Sequence, residues 1–242
     1  MPDKIYFFVC TENISDKRFA LNEQESHHLI KVLRKQVGTN VWLIDGVGTT
    51  YYGIVKTLKN NIVSGEILEA YPRYGENEIS ITLGIGILKK DKMNLVVEKA
   101  TECGVAEIVP LLLDRCIKQN ISRDRLEKIA RSSVKQCGRS VIPIIRGTGS
   151  LIDILNINKE SALIVCHETG AVLIEKVPNI LKKQNKLLLL IGPEGDFTEN
   201  ELDLLKEHNA IFINLGKRRL RSETAVITAM SQLDLYYNCK TI

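Results

Sequence analysis

Short apolar runs alternate with amphipathic segments from residue 78 to the C-terminus. The apolar runs are of strand length, and they predict strands at 78–88, 107–112, 162–166, 187–191 and 211–215. Apolar residues at helical spacing predict helices between them, including those at 122–137, 198–208 and 222–237. Strands that alternate with helices favour the α/β class with a mainly parallel sheet.

Helix-capping residues support two of these helices. Asp91 is expected to cap a helix that Gly104 ends, and its inward face is formed by Met93, Val96, Val97 and Ala100. Thr198, with Glu201 three residues later, matches the capping-box pattern. The helix at 198–208 therefore needs no catalytic explanation for either residue.

The first seventy or so residues have a different pattern, which predicts a small β-barrel. Short runs with alternating polarity predict strands at 5–9, 18–21, 41–45, 50–58 and 61–68. One helix is expected at 26–36, with Ser26 as its N-cap and Leu29, Val32 and Leu33 facing inward. Its adjacent histidines, His27 and His28, cannot both face one metal ion from a helix, so no metal site is indicated.

A polar segment broken by proline and glycine, at 73–77, is the best linker in the chain. We therefore expect two domains, at 1–72 and 78–242. The chain has 242 residues and is 44% hydrophobic, which is enough for a large core. It lacks a long apolar run and a signal-peptide layout, so no membrane segment and a cytoplasmic location are expected. Its six cysteines show no metal-ligand or disulfide spacing.

Positive charge is concentrated in two places. Residues 115–146 contain nine Lys or Arg against two Asp or Glu, and Lys217, Arg218, Arg219 and Arg221 form a second cluster. The helix at 122–137 keeps small and apolar residues on one stripe and basic residues on the rest. Segregated positive charge favours a polyanionic partner, although a solvated helix face would give the same pattern.

Two loops near the C-terminus carry the strongest functional signal. Each follows a predicted strand and precedes a predicted helix, and the two span 192–196 and 216–224. Their glycines allow the backbone to approach a ligand closely. Ligands of open α/β sheets bind beyond the carboxyl ends of the strands, so we expect the two loops to share a pocket. Motifs for nucleotide hydrolysis, dinucleotide binding and serine hydrolysis are absent from the sequence.

These motifs resemble the RsmE family of ribosomal RNA methyltransferases. The resemblance covers nearly the whole chain and rests on segments 27–34, 89–105, 136–143, 192–195 and 215–225. It implies a PUA-like barrel at 1–72, a SPOUT domain with a trefoil knot at 78–242, and a homodimer. It also implies S-adenosylmethionine-dependent methylation of N3 of one uridine in small-subunit 16S ribosomal RNA. Asp196, Arg219 and Ser222 depart from the family pattern, which usually has glycine, an apolar residue and threonine there.

The resemblance and the two loops together give a set of candidate site residues. Arg221 is expected to stabilise the charge that develops on the uracil, with Glu223 or Glu194 as a proton acceptor, although capping and loop bracing would explain both acids. The cofactor is expected to contact His167, Glu168, Ile191, Gly192, Pro193, Glu194, Gly195, Leu215, Gly216, Leu220, Arg221, Ser222, Thr224 and Ala225. RNA or the 30S particle is expected to contact His28, Lys31, Arg34, Lys35, Arg123, Arg131 and Arg139.

Two other functions fit part of the sequence. A non-catalytic RNA-binding factor for ribosome assembly would use the barrel and the basic residues, with a glycine pocket that is merely architectural. A SPOUT methyltransferase acting on transfer RNA would use the same cofactor pocket. Binding of S-adenosylmethionine separates the first alternative from a methyltransferase.

Overall fold

The computed structural model describes residues 4–116, 121–173, 177 and 184–238. The chain forms two compact units. The first unit consists of Met1–Glu76 with Arg131–Ile142, and the second consists of Asn77–Ala130 with Pro143–Ile242.

The first unit is built on a six-stranded mixed sheet that forms a half-barrel. Its strands are β1 (Tyr6–Phe8), β2 (Ile14–Ser15), β3 (Arg18–Ala20), β4 (Asn40–Ile44), β5 (Thr49–Lys59) and β6 (Ile62–Pro72). They lie in the order β1-β4-β5-β6-β3-β2, and β1 pairs with β4 in parallel while the other pairs are antiparallel. The core on one face includes Phe7, Phe19, Leu29, Leu43 and Val55.

The helix of the first unit differs from the prediction. It begins as α1 (Glu23–His27), capped by Asn22, and continues as a π-helical turn at His28–Val32. Ser26 is not the cap, because its buried hydroxyl accepts a hydrogen bond from Val63 N–H at 3.0 Å. Leu29 is fully buried as expected, whereas Val32 is 60% exposed. Leu33 is partly buried against the same core, as expected. The wider π turn changes the angular spacing along the helix, so the inward face predicted from regular spacing is wrong at Val32.

The second unit contains a seven-stranded sheet in which every pair is parallel, which confirms the predicted α/β class. Its strands are β7 (Ser80–Gly86), β8 (Glu107–Leu111), β9 (Ile144–Ile145), β10 (Ala162–Cys166), β11 (Val172–Leu173), β12 (Lys186–Ile191) and β13 (Ile211–Asn214). They lie in the order β11-β13-β10-β12-β7-β8-β9. Because β8 and β9 lie on one side of β7 and the later strands lie on the other, the chain reverses direction across the sheet.

Helices cover both faces of this sheet. They are α2 (Lys90–Glu102), α3 (Arg123–Cys137), α4 (Leu151–Ile157), α5 (Glu199–Glu207) and α6 (Ser222–Asn238). One core contains Met93, Leu126 and Val226 from α2, α3 and α6, while Ile154 and Leu205 from α4 and α5 lie in the other. No helix in the described ranges is long and apolar enough to cross a bilayer.

Most helix ends match the sequence, with two corrections. Thr198 and Glu201 form the predicted capping box at the start of α5. Asp91 does not cap α2, because Lys89 occupies the cap position and Asp91 lies in the first turn. The short helix α4, capped by Ser150, was not predicted. The trefoil knot stays a prediction.

Candidate active site at the carboxyl ends of the parallel strands

The two glycine-bearing loops meet at one cavity of about 520 Å³ in the second unit. They follow β12 and β13, which are not neighbours in the sheet, because β10 lies between them. The loop after β10 therefore supplies a third wall. Most of the predicted cofactor-binding residues line this cavity: His167, Glu168, Ile191, Gly192, Pro193, Glu194, Leu215, Gly216, Leu220, Arg221, Ser222 and Ala225.

The lining also differs from the predicted set. Gly195, Thr224 and Glu223 do not line the cavity. Six residues that do line it were not on the list of candidate site residues, namely Cys166, Asp196, Asn214, Lys217, Arg218 and Arg219. Charge in the second cluster could have indicated the last three, whereas Cys166 and Asn214 are simply the final residues of β10 and β13.

The loop after β12 is held in place by packing and by a distant arginine. Pro193 packs so closely on β7 that a Cβ atom added to Gly86 would lie 2.5 Å from Pro193 N. Arg115 donates hydrogen bonds from one guanidinium nitrogen to the carbonyls of Gly195 at 3.0 Å and Phe197 at 3.1 Å. No sequence pattern indicates this arginine, because its partners are carbonyl groups eighty residues away in the chain.

The same loop ends in a second set of bonds at the start of α5. Thr198 donates its hydroxyl to Asp114 Oδ2 at 3.2 Å, and Glu201 Oε1 accepts from Asp114 N–H at 3.0 Å. Glu201 also accepts from Thr198 N–H at 2.7 Å to complete the capping box. The loop therefore joins β12 to a helix start that is itself tied to the segment following β8.

The backbone conformation and side-chain contacts of Asp196 explain how aspartate can stand where the family usually has glycine. Its φ is +61°, in the left-handed region where glycine is favoured and where Asp is among the better tolerated alternatives. Asp196 Oδ1 accepts from Phe197 N–H at 2.9 Å, and Oδ2 lies 3.5 Å from His167 Nε2. At the adjacent end of β10, burial raises the pKa of the Cys166 thiol, so this cavity residue stays a neutral thiol.

The loop after β13 is attached through Asn214. This side chain donates to the carbonyl of Glu168 at 2.8 Å and accepts from Gly216 N–H at 2.8 Å, so it joins the loops after β10 and β13. Gly216 has φ +132°, and no atom lies within 4 Å of the position that a Cβ would take. The following cationic side chains, Lys217, Arg218, Arg219 and Arg221, are exposed at the cavity.

Glu194 and Glu223 share Lys92, a residue of segment 89–105 for which the sequence predicts no role. Lys92 Nζ lies 3.2 Å from Glu194 Oε1 and 3.7 Å from Glu223 Oε1. The side chain of Glu223 is 10% exposed. Within the described residues, the second carboxylate oxygen of each acid is inaccessible to solvent and has no hydrogen-bond partner. This lysine and two acids come from α2, from the loop after β12 and from the first turn of α6.

The candidate RNA-binding residues of the first unit fall into two groups. Lys31, Arg34, Lys35 and Arg131 are exposed, and His28 is half-buried. Arg139 is 4% exposed, and its guanidinium binds the Glu76 carboxylate at 2.7 Å. Because that guanidinium is enclosed and already paired, the prediction that Arg139 contacts RNA is wrong. In the second unit, exposed Arg123 pairs with Glu127.

Among the residues that the structure describes, no group of three His, Cys, Asp or Glu side chains could hold a metal ion.

A family model described as an RNA methyltransferase domain matches residues 75–234, and one described as an RNA methyltransferase PUA domain matches residues 21–68. The chain belongs to the RNA methyltransferase family. The cavity and all of its lining residues lie within the match to the RNA methyltransferase domain.

Individual members of the RNA methyltransferase family are similar over most of their length. A protein of Rickettsia conorii named ribosomal RNA small subunit methyltransferase E is 30% identical over 88% of this chain and 88% of its own. Its namesake from Buchnera aphidicola subsp. Schizaphis graminum is 30% identical over 96% of this chain and 94% of its own. The crystal structure of the Neisseria gonorrhoeae protein of that name, bound to S-adenosyl methionine, has a TM-score of 0.84 at 27% identity. The match covers 97% of this chain and 98% of that protein's chain.

Proposed function

We propose that this chain transfers a methyl group from S-adenosylmethionine to N3 of a uridine in small-subunit 16S ribosomal RNA. The observation that carries the proposal is the cavity in which two glycine-bearing loops meet beside Arg221. The cavity lies at the carboxyl ends of parallel strands, which is where α/β proteins bind ligands. The similar proteins named ribosomal RNA small subunit methyltransferase E support the choice of substrate.

The residues of the cavity fit a nucleoside-sized cofactor. The cavity volume falls in the range of about 300–1,000 Å³ that is usual for small-molecule sites. The position that a Cβ atom of residue 216 would take is open space, and a side chain larger than that of glycine would occupy it. Backbone groups of Gly192 and Gly216, with Leu215 and Ala225, would hold the cofactor, and His167 and Glu168 would line its far side. S-adenosylmethionine, when bound, supplies an electrophilic methyl group on a positively charged sulfur.

Arg221 is the proposed catalytic cation. Uridine N3 carries a proton and is a poor nucleophile until that proton leaves, when negative charge spreads onto O2 and O4. A guanidinium beside either oxygen stabilises this charge, and such interactions are commonly the largest contribution to catalysis. Arg221 is suited to the role because it lines the cavity while its side chain is exposed to an incoming base.

The proton acceptor that we propose is Glu194 or Glu223. Each has a carboxylate oxygen that no described residue binds, and Glu194 lines the cavity. Glu194 is the better placed of the two, since Glu223 does not line the cavity and lies in the first turn of α6. A carboxylate there also stabilises the helix N-terminus, so Glu223 has a structural role in either case.

RNA would be positioned by exposed cations, chiefly Lys31, Arg34 and Lys35 of the first unit, with Arg131 and Arg123. Such contacts are made to phosphates and do not read the base sequence, so RNA affinity should fall steeply as salt rises. We also propose residues 1–72 as the RNA-binding domain and 78–242 as the methyltransferase domain. Action as a homodimer in the cytoplasm completes the proposal.

Two measurements test this function. Calorimetry of the purified chain should show binding of S-adenosylmethionine. Mass spectrometry of ribosomal RNA from a deletion strain should show the loss of one N3-methyluridine from 16S RNA, restored by the wild-type gene. Cofactor binding without loss of that nucleotide would redirect the enzyme to another RNA, and absence of binding would favour a non-catalytic assembly factor.

A further inference from the structure

Lys92, Glu194 and Glu223 form a charge cluster beside the cavity that the proposed reaction does not fully use. The three residues are distant in sequence and meet through α2, the loop after β12 and the start of α6. The ammonium of Lys92 lies between the two acids, at 3.2 Å and 3.7 Å from the nearer oxygen of each. Glu194 connects the cluster to the cavity because its residue forms part of the lining.

The cluster has an excess of negative charge in a partly desolvated place. Two carboxylates face one ammonium, so the formal charges sum to about −1. The two outer carboxylate oxygens are closed to solvent and have no partner among the described residues. Glu223 lies in the N-terminal turn of α6, where the helix dipole attracts negative charge.

Other charges at the cavity are more strongly screened. The cations of residues 217–219 and 221 are exposed, as is Glu168, so solvent and salt weaken their fields. Asp196 also lines the cavity, but its side chain is 33% exposed, against 28% for Glu194 and 10% for Glu223, and its Oδ1 already accepts from Phe197 N–H. The least screened charge that acts on the cavity is therefore the negative charge of the cluster.

We propose that this cluster makes the cavity select the positively charged methyl donor over its uncharged product. The inference rests on the proposed function. When the methyl group leaves, the bond between carbon and sulfur breaks and its electron pair stays on sulfur, so the sulfonium becomes a neutral thioether. The cluster attracts the first and is indifferent to the second. Spent cofactor is thereby exchanged for fresh donor, and inhibition by the product is limited.

Lys92 has a positioning role in this arrangement. Its ammonium contacts both carboxylates, holds them in place and cancels one of their two formal charges. The excess of one negative charge is then matched by the single positive charge of a sulfonium. No part of this role requires Lys92 to touch the cofactor.

Calorimetry with two ligands tests the inference on the full-length protein. S-adenosylmethionine and S-adenosylhomocysteine are titrated into the wild type and into Glu194→Gln and Glu223→Gln, which keep side-chain shape and remove the charge. We expect affinity for S-adenosylmethionine to fall roughly tenfold in each variant while affinity for S-adenosylhomocysteine changes less than threefold or so. Glu98, a half-exposed residue of α2 paired with Lys99, provides the matched control, and Glu98→Gln should leave both affinities unchanged.

A structural role gives a different result. If the acids only brace the loop, both ligands lose affinity to the same extent, and the inference is overturned. If circular dichroism shows that Glu223→Gln does not fold, the result with Glu194→Gln alone tests the inference. Glu194 lies on a loop and its side chain is 28% exposed, so its replacement is not expected to prevent folding. Failure of the proposed function is a separate outcome: a wild type that binds neither ligand is not a methyltransferase of this kind, and a different RNA substrate would leave both affinities as they are.

Discussion

The two glycine-bearing loops of the cavity are built in opposite ways. The loop after β12 packs on Gly86, receives two hydrogen bonds from Arg115 and ends in a capping box. The loop after β13 is held near its start by Asn214, and the residues that follow are exposed cations. The first loop has its shape fixed by neighbours from other segments of the chain, whereas the second presents charge to solvent.

This difference indicates that the two loops have different roles at the same cavity. A loop fixed by neighbours can present backbone groups to a cofactor without losing conformational entropy on binding, which favours affinity. Exposed guanidinium groups suit a large anionic substrate that arrives from solvent and must be positioned anew each turnover. The comparison therefore predicts that loss of the contacts that hold the first loop affects stability and cofactor binding, while loss of the exposed cations of the second loop affects mainly the reaction with RNA.

Replacement of Arg221 by Ala should have the largest effect. We expect methylation of a 16S RNA substrate to fall about 100-fold or more, which is typical when one donor to a developing oxyanion is removed. Cofactor affinity should fall less than fivefold or so, because the lost contact is made mainly to the reacting base. Single-turnover methylation assays and calorimetry on the same preparation measure the two quantities.

Arg219→Ala is the matched control for Arg221. It lies in the same loop, lines the same cavity and is equally exposed. Its loss should reduce methylation less than tenfold or so, and mainly through RNA affinity, which high salt would mask. Equal losses of cofactor binding and of methylation in Arg221→Ala would reassign Arg221 to the structure of the loop.

Replacement of Arg115 by Ala tests how far this residue holds the loop after β12, the braced loop, in place. The change removes two charge-assisted hydrogen bonds to carbonyl groups and should lower the free energy of unfolding by about 2 kcal/mol. This value is small for two such bonds because Arg115 is exposed and solvent weakens them. Affinity for S-adenosylmethionine should fall with it. Arg123→Ala, which breaks an exposed ion pair with Glu127 on one helix, should cost less than about 0.5 kcal/mol in the same urea titration.

The sequence was most informative where one local rule determines the structure. Short apolar runs that alternate with helical patterns were enough to identify the central strands, and Thr198 with Glu201 was enough to identify a helix start. The helix near Ser26 was misjudged because a π turn changes the spacing on which the prediction rests. Arg139 was misjudged because its partner, Glu76, lies sixty-three residues away in the chain. Charge alone does not distinguish an arginine that binds RNA from one that is buried with a carboxylate.

Replacement of Gly216 by Ala asks whether the second loop depends on its backbone conformation. There is room for a methyl group, but φ of +132° is unfavourable for any residue with a Cβ, so unfolding should become easier by about 1 kcal/mol. Gly147→Ala is the matched control, because its Cβ would also meet open space and its φ lies outside the positive range. That control should be neutral or slightly stabilising. Equal behaviour of the two variants would show that the loop adjusts freely.

The smallest expected effect concerns Asp196, in the braced loop. Its left-handed backbone favours glycine, but its carboxylate accepts from Phe197 N–H and so recovers part of the cost. Asp196→Gly should therefore change the free energy of unfolding by no more than about 0.5 kcal/mol, whereas Asp196→Ala, which keeps the backbone strain and loses the bond, should cost about 1 kcal/mol. Urea titrations of both variants decide the point. If alanine were tolerated as well as glycine, the bracing by Arg115 would have to be weak enough for the loop to leave this conformation, and the contrast between the two loops would disappear.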